Sequence, residues 1–301
     1  MTVFIQVMLP VLLIFFTGFI FQKFFYLDIK PLSTIAIYLL LPFLVFQTFY
    51  SANLNNSFSI VVLVSTGIMI ILILLGVLVG KIIGFNKKKM NAFLLSTVFP
   101  NSGNYGVPIV LFAFGNKSVE YAMTIMVIHN ILMGVVGVYI ASYGDVKGLE
   151  GVKKALLAIF KQPMNYVILP AILLNYLNCK IPNNIMGSIK IIGNITIPLI
   201  MIILGMQLAD TKIKKISWLD VSLASFFRLI ISPIVAYMIC ILFSLGHMLT
   251  TVIVLMAAMP SAANTTMYAI QFDTEPDLVS TCTLVSTVFS VFTLTFLLIV
   301  L

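Results

Sequence analysis

Long apolar stretches alternate with short polar breaks along almost the whole chain. Most of the stretches contain about 20 residues, the length that an α-helix needs to cross the hydrocarbon core of a bilayer. The pattern therefore predicts an all-α integral membrane protein with ten transmembrane helices. The predicted spans are residues 3–25, 31–50, 57–83, 91–114, 118–142, 164–179, 185–208, 216–243, 248–271 and 277–300.

The composition supports a lipid environment and limits the other classes of function. Of the 301 residues, 61% are hydrophobic and only 9% are charged, which is too few charges to cover a soluble globule. The formal net charge of +8 comes from lysines in short runs between apolar stretches, so we expect no nucleic-acid partner. The three cysteines are isolated in apolar stretches, and neither a disulfide, a metal site nor a cofactor is expected.

The lysines are distributed unequally between the two sides of the membrane. The loops after odd-numbered spans carry thirteen lysines and the loops after even-numbered spans carry three. Because positive residues concentrate on the cytoplasmic side, both termini are predicted to be extracytoplasmic. The chain is thus expected to be a multi-pass protein of the cell membrane.

The longest polar link divides the predicted spans five and five. Since each half contains an odd number of spans, the second half would enter the membrane with inverted orientation. Pro10 and Pro170 are 160 residues apart, as are Pro100 and Pro260. We therefore predict an inverted repeat, with 1–142 as the first repeat, 143–163 as a cytoplasmic linker and 164–301 as the second repeat. In transporters of this plan the substrate lies at the repeat interface.

The fourth and ninth spans contain polar, proline-bearing interruptions. In the fourth, Pro100, Gly103, Gly106 and Pro108 stand among polar residues. Proline removes a backbone donor and disfavours a regular helix, and glycine is expected to let the chain leave helical angles. In the ninth, Pro260 is followed by polar residues but by no glycine, which makes this break less clear from sequence. The alternative interpretation is a pair of kinked helices whose polar side chains merely satisfy neighbouring carbonyl groups.

Two broken helices would create a binding site at the membrane midplane. If both segments unwind they cross antiparallel, and each second half-helix directs its N-terminal amide groups, which attract anions, toward the centre. Neutral side chains beside the two prolines would add hydrogen bonds; they are Asn101, Ser102, Asn104, Ser261, Asn264 and Thr265. This arrangement favours a small anion held weakly enough to be transported.

The same motifs resemble those of the auxin efflux carrier family, and the chain looks like a bacterial member. The resemblance rests on PNSGNYGVPIVLFAFG from Pro100, AAMPSAANTTMYAIQF from Ala257 and PDLVSTCTLVSTVF from Pro276, with support from LLLPFLVFQTF and IPLIMIILGMQLA. It implies a ten-helix inverted-repeat fold related to the bile-acid and sodium symporters, elevator-like motion, homodimers, and export or exchange of organic anions such as dicarboxylates.

By position in these motifs, the resemblance makes Asn101 the crossover asparagine and Pro260 the counterpart of Pro100. The second motif departs from the plant pattern, because Ser261, Ala262 and Ala263 stand where a bulkier polar segment is usual. Auxin itself is therefore not the expected substrate.

Two ionisable residues fall deep inside predicted spans. Arg228 would either attract the anionic substrate or hold carbonyl groups at a helix break, since an arginine in a membrane needs a partner or a cavity. His129 would be either a neutral, hydrogen-bonded histidine or a proton sensor, and we favour the first. No Asp or Glu lies deep in a span, which weakens the case for coupling to protons or sodium.

The sequence thus predicts a secondary active or potential-driven carrier of small organic anions. A negative cell interior could itself drive export, because each charge crossing 100 mV gains about 2.3 kcal/mol. The main alternative is a sodium-coupled symporter of the bile-acid type. Two less favoured alternatives are a non-transporting receptor and an intramembrane enzyme using Ser102 and His129. Protease and nucleophile-elbow motifs are absent from the chain.

Overall fold

The computed structural model describes residues 4–51, 57–142, 163–210 and 217–301. They are almost entirely helical. In chain order the helical segments are α1 (Phe4–Phe25), α2 (Ile29–Tyr50), α3 (Ser57–Ile83), α4 (Lys87–Val98), α5 (Ser102–Phe114), α6 (Ser118–Ser142), α7 (Pro163–Tyr176), α8 (Asn183–Asp210), α9 (Trp218–Leu242), α10 (His247–Ala257), α11 (Ala263–Gln271) and α12 (Pro276–Val300).

The predicted spans agree with these helices to within a few residues. Seven helices in the described ranges are long and apolar enough to cross a membrane: α1, α2, α3, α6, α8, α9 and α12. The predicted fourth span corresponds to α4 and α5, the ninth to α10 and α11, and the sixth to the shorter α7. The arrangement of ten spans as two inverted repeats stays a prediction, and residues 143–162 of the predicted linker lie outside the described ranges.

The helices pack as two groups. In the first group α1 packs along α8, and α2 packs against both α7 and α8. The second group contains α3 to α6 and α9 to α12, in which α3 contacts α4, α6 and α9, and α12 contacts α4, α9 and α11. Contacts between the groups are fewer and concentrate on α5 and the beginning of α1.

Glycines let α1 and α8 approach backbone to backbone. A Cβ atom added to Gly18 of α1 would lie 2.0 Å from the carbonyl oxygen of Ile202, and one added to Gly205 of α8 would lie 1.9 Å from that of Phe15. Small residues drive such packing in membranes, where apolar side chains gain little from leaving lipid. The first helix group is therefore held by close van der Waals contact along this seam.

Replacing Gly205 with valine is expected to destabilise the protein, because the new side chain would collide with backbone atoms that cannot rotate away. Overpacking costs about 1–3 kcal/mol, and we expect the melting temperature in detergent to fall by about 5–10 °C. Gly187→Val is the matched control, since Gly187 is in the same helix and a Cβ there meets nothing within 4 Å. Equal melting temperatures for the two variants would contradict the close seam.

Two ion pairs join the beginning of α4 to other helix ends. Lys89 Nζ lies 2.6 Å from Asp220 Oδ2 at the start of α9, and Lys88 Nζ lies 2.5 Å from Asp273 Oδ2 just after α11. The beginnings of α4 and α9 and the end of α11 therefore lie on one face of the molecule. Both aspartates fall at the ends of predicted spans, but the burial of Asp220 was not predictable from the sequence.

Candidate functional site

Both predicted helix breaks are present. Residues 99–101 interrupt the helix between α4 and α5, and residues 258–262 interrupt it between α10 and α11. The second break, which the sequence left less clear, is the longer of the two. The kinked-helix alternative is therefore wrong, because each predicted span is two separate half-helices.

The two interruptions cross and pair as an isolated antiparallel bridge between Pro100 and Ser261. The amide of Asn101 donates to the carbonyl oxygen of Pro260 at 2.8 Å, and the amide of Ala262 donates to that of Phe99 at 3.0 Å. A proline lacks an amide hydrogen, and neither bond needs one: Pro260 accepts through its carbonyl oxygen, and Pro100 lies between Phe99 and Asn101, which make the two bonds. The predicted antiparallel crossing is confirmed, and each break satisfies one backbone amide of the other.

Gly103 and Gly106, the glycines beside the first break, serve packing rather than unwinding. Gly106 has helical angles (φ −68°, ψ −52°), and no residue of either break has a positive φ among those described. A Cβ on Gly106 would lie 2.8 Å from Met256 Sδ of α10. The expectation that glycine permits the break is therefore wrong. Gly106 instead lets α5 lie close to α10. The second break forms without a glycine because it, too, contains no residue with a positive φ.

Arg228 lies where the C-terminal ends of α4 and α10 meet, and it is 1% exposed. Its Nη1 donates to the carbonyl oxygens of Thr97 at 2.8 Å and Val98 at 3.0 Å. Its Nη2 donates to Ser232 Oγ and to the carbonyl oxygen of Ala257. Of the two predicted roles, these contacts match the one in which arginine holds carbonyl groups at the breaks. A direct contact between Arg228 and the substrate stays a prediction. The atom available for it is Nε, which has no hydrogen-bond partner in the described chain.

A cavity of about 60 Å³ lies beside the crossover. Its polar lining is uncharged and comprises Asn101, Ser102, Asn104, Asn130 and Asn264. The remaining lining residues are Ile37, Leu41, Pro100, Gly103, Met126, Met133, Met164, Ile200, Ala262 and Ala263. The structure thus gathers five of the predicted site residues, Pro100, Asn101, Ser102, Asn104 and Asn264, at the N-terminal ends of α5 and α11.

Asn101 has an unused donor in this cavity. Its side chain is buried, with 5% of the residue exposed, and Nδ2 has no hydrogen-bond partner within the described ranges. It occupies the position before the first turn of α5 and makes no capping bond to that helix. A buried donor without a partner is costly unless something binds it.

The other predicted residues of the second break support its backbone. Thr265 Oγ1 donates to the carbonyl oxygen of Ala262 at 2.7 Å. The amide of Ser261 donates to Ser286 Oγ at 3.1 Å, and Ser261 Oγ has no partner in the described parts of the chain. Pro260 contributes its carbonyl oxygen to the bridge. These three residues are not part of the cavity lining.

His129 lies in a second, smaller cavity. Ser102 Oγ and His129 Nδ1 are 2.6 Å apart, so the histidine is hydrogen-bonded as the favoured prediction has it. His129, Ser65 and Arg228 are the polar residues of a cavity of about 20 Å³, whose lining shares Pro100 with the larger one. Ser102 therefore connects the surroundings of the two cavities.

Comparison with known proteins places nearly the whole chain in one family. The family model described as membrane transport protein matches residues 3–298. The chain belongs to this family, which is of the auxin efflux carrier type. It is 28% identical to an uncharacterised transporter of Methanothermobacter thermautotrophicus, covering 96% of this chain and 95% of the relative. It is 27% identical to an uncharacterised transporter of Methanocaldococcus jannaschii, covering 95% and 94%.

Membership of a membrane transport family agrees with a carrier and gives no support to the enzyme alternative. The Ser102 to His129 distance alone would suit a nucleophile and its base. A carboxylate to orient the histidine is missing from the described lining of either cavity. In this transport family the hydrogen bond is accounted for by the need to satisfy two polar groups inside the membrane.

One residue of the larger cavity of this transport protein was not predicted from the sequence. Asn130 of α6 lines the larger cavity together with Asn101, Asn104 and Asn264. It directly follows His129 in an otherwise apolar stretch, and this polar pair was the available signal. Adjacent helical residues point in different directions, so His129 reaches one cavity and Asn130 the other.

Proposed function

We propose that the protein is a secondary active or potential-driven carrier, an efflux permease or exchanger, of small organic anions such as dicarboxylates. The observation that carries this proposal is the uncharged cavity at the start of α5 and α11. The first amides of a helix have no partner within it and carry partial positive charge. Four asparagine side chains surround the same space.

The chemistry of the lining favours an anion over a cation. The described carboxylates, for example Asp28, Glu120 and Asp210, lie at or near helix ends and are not among the cavity's lining residues. A carboxylate substrate could accept hydrogen bonds from Asn101 Nδ2 and from backbone amides, as anions do at helix N-termini. Neutral donors without a fixed counter-charge would let the anion leave again.

An elevator-type mechanism is supported by which helix group lines each wall of the cavity. All five polar lining residues belong to the second group, which contains the crossover. The first group contributes only Ile37, Leu41, Met164 and Ile200, which are apolar. If the second helix group carries the substrate, it can slide past the apolar side chains of the first helix group without breaking hydrogen bonds to them. Such rigid-body movement of one bundle against another is how inverted-repeat transporters alternate access.

The finer features of this proposal follow the family and the charge distribution. We place repeats at 1–142 and 164–301, a homodimer in the cell membrane and both termini outside. The face that carries Lys88 and Lys89 would be cytoplasmic by the positive-inside rule. The sodium-coupled symporter is the second candidate, and the lack of carboxylates in the cavity lining counts against it.

Transport by reconstituted protein tests the proposal directly. We expect proteoliposomes to exchange or release labelled dicarboxylates such as malate or succinate, and the rate of net release to rise when an inside-negative potential is imposed across the membrane. The measurement is repeated with sodium replaced by choline to test the symporter alternative. Failure to move any member of a carboxylate panel would overturn the proposal.

Asn101→Ala should lower anion transport while leaving the protein folded. The change removes an unused donor, so little native stability is lost, whereas a hydrogen bond to a charged substrate is worth about 1.5–3 kcal/mol, or roughly 10–100-fold in affinity. Transport kinetics and the melting temperature are both measured. Asn184→Ala, at the exposed start of α8, is the matched control. Unchanged kinetics in Asn101→Ala would argue against this cavity as the substrate site.

A further inference from the structure

We propose that Arg228 is a positioning residue whose guanidinium group is a built-in cation. This group joins the C-terminal ends of α4 and α10. In an inverted-repeat transporter, a mobile coupling cation would bind at this place. The inference rests on the proposed function in one respect, that the crossover is the site of anion transport. Its structural part is that Arg228 fills an oxygen-lined cation site, and this part rests only on the hydrogen bonds of the guanidinium group.

Two helix C-termini converge at this place. The carbonyl groups in the last turn of a helix have no partner within the helix, and each helix end carries about half a negative charge. Both α4 and α10 end beside the crossover, inside the membrane region, where exposed carbonyl groups are costly. Some cation or set of donors has to compensate them.

The guanidinium group matches this requirement with one nitrogen for each helix. Nη1 donates to two carbonyl oxygens of α4, those of Thr97 and Val98. Nη2 donates to the carbonyl oxygen of Ala257, the last residue of α10. Ser232, one turn after Arg228, donates to that same Ala257 oxygen at 2.8 Å. A planar fork can hold two helix ends at once, and the single ammonium group of lysine cannot reproduce that geometry.

The chain uses its one arginine at this position, although it contains sixteen lysines. Arg228 lies in a π-helical turn, Phe227–Ile231, of α9. Such turns are local departures from the α-helix that are frequent at functional sites. Here the turn brings the side chains of Arg228 and Ser232 onto the same oxygen.

The oxygens that Arg228 occupies are those suited to a small cation. Three backbone carbonyls and one hydroxyl form the set, and the C-terminal ends of half-helices are where inverted-repeat transporters coordinate sodium. Because a guanidinium stays protonated and is covalently attached, it would supply this charge throughout the transport cycle. Anion transport should then need no sodium at the crossover.

Removing the side chain and supplying free guanidinium tests the inference. In wild-type proteoliposomes, replacing sodium with choline should change the rate of anion transport by less than about twofold. Arg228→Ala should reduce that rate by more than about tenfold, because several charge-assisted hydrogen bonds are lost. Low-millimolar guanidinium chloride, far below denaturing concentration, should restore part of the activity of the variant and have no such effect on wild type.

A binding measurement separates this inference from the proposed function. Guanidinium should raise the melting temperature of purified Arg228→Ala in detergent and leave that of wild type unchanged or lower. This readout needs no transported substrate, so it decides the cation site even if wild type moves no organic anion. Sodium dependence of wild-type transport, or a folded Arg228→Ala that guanidinium neither stabilises nor reactivates, would overturn the inference.

Two further variants keep the test decisive if Arg228→Ala does not fold. Arg228→Lys retains the charge and should transport more slowly than wild type, since one ammonium cannot reach both helix ends. Ser232→Ala removes one of the four oxygens and should lower the rate as well. Ser225→Ala is the matched control, because Ser225 is a buried serine of the same helix without a hydrogen bond to Arg228. Wild-type rates in both Arg228→Lys and Ser232→Ala would contradict a positioning role.

Discussion

Replacing Asn101 with aspartate is expected to abolish anion transport without unfolding the protein. The two side chains have nearly the same shape, and Asn101 Nδ2 makes no hydrogen bond within the described chain that the change would break. Aspartate is also a favoured residue immediately before a helix, where its carboxylate accepts bonds from the first-turn amides of α5. The variant would therefore fill the anion site with a carboxylate of its own.

The expected size of this effect follows from Coulomb's law. Two like charges about 5 Å apart at an effective dielectric constant of 20 repel by about 3 kcal/mol, which is more than 100-fold in affinity. Initial rates in proteoliposomes and melting temperatures are compared for wild type, Asn101→Ala and Asn101→Asp. We expect the aspartate variant to be the least active and at least as stable as the alanine variant. Undiminished anion transport by Asn101→Asp would show that the site does not select anions as proposed.

The helical spans were predictable because one physical rule dominates them. A chain in lipid must satisfy its backbone hydrogen bonds internally, so each apolar stretch of sufficient length becomes a helix. This rule located α1, α3 and α12 to within a few residues. It carries no information about which helices touch, since lipid and protein neighbours are equally apolar. The separation of α1, α2, α7 and α8 from the other helices therefore came only from the structure.

The crossover was predictable in position but not in its internal contacts. Pro100 and Pro260 marked the breaks, and the neighbouring asparagines marked the polar lining. The partners of Arg228 were out of reach, because Thr97 and Ala257 contribute backbone carbonyl groups that every residue possesses. The role of Gly106 was mistaken for a related reason: glycine serves either an unusual backbone angle or a close approach, and sequence alone does not distinguish them.

Replacing Lys89 with methionine is expected to destabilise the protein, because it leaves a buried carboxylate unpaired. Asp220 is 4% exposed at its side chain and lies 2.6 Å from Lys89, whose own side chain is 32% exposed. Removing one partner of a fully buried pair costs roughly 3–5 kcal/mol. Since Lys89 is partly solvated, we expect about 2–3 kcal/mol, or a fall in melting temperature of about 5–10 °C. Methionine keeps an apolar contact with Phe85, over whose ring the lysine now lies.

Lys88→Met is the matched control for this comparison. It changes the neighbouring residue in the same way, but the Lys88 and Asp273 side chains are 59% and 80% exposed, and exposed pairs contribute about 0–1 kcal/mol. Adding Asp220→Asn to Lys89→Met should recover part of the lost stability, because the buried charge is then removed together with its partner. If the two methionine variants melt at the same temperature, burial of Asp220 does not make its ion pair important. If instead only Lys89→Met is destabilised and the double variant recovers, the join between α4 and α9 depends on this charge.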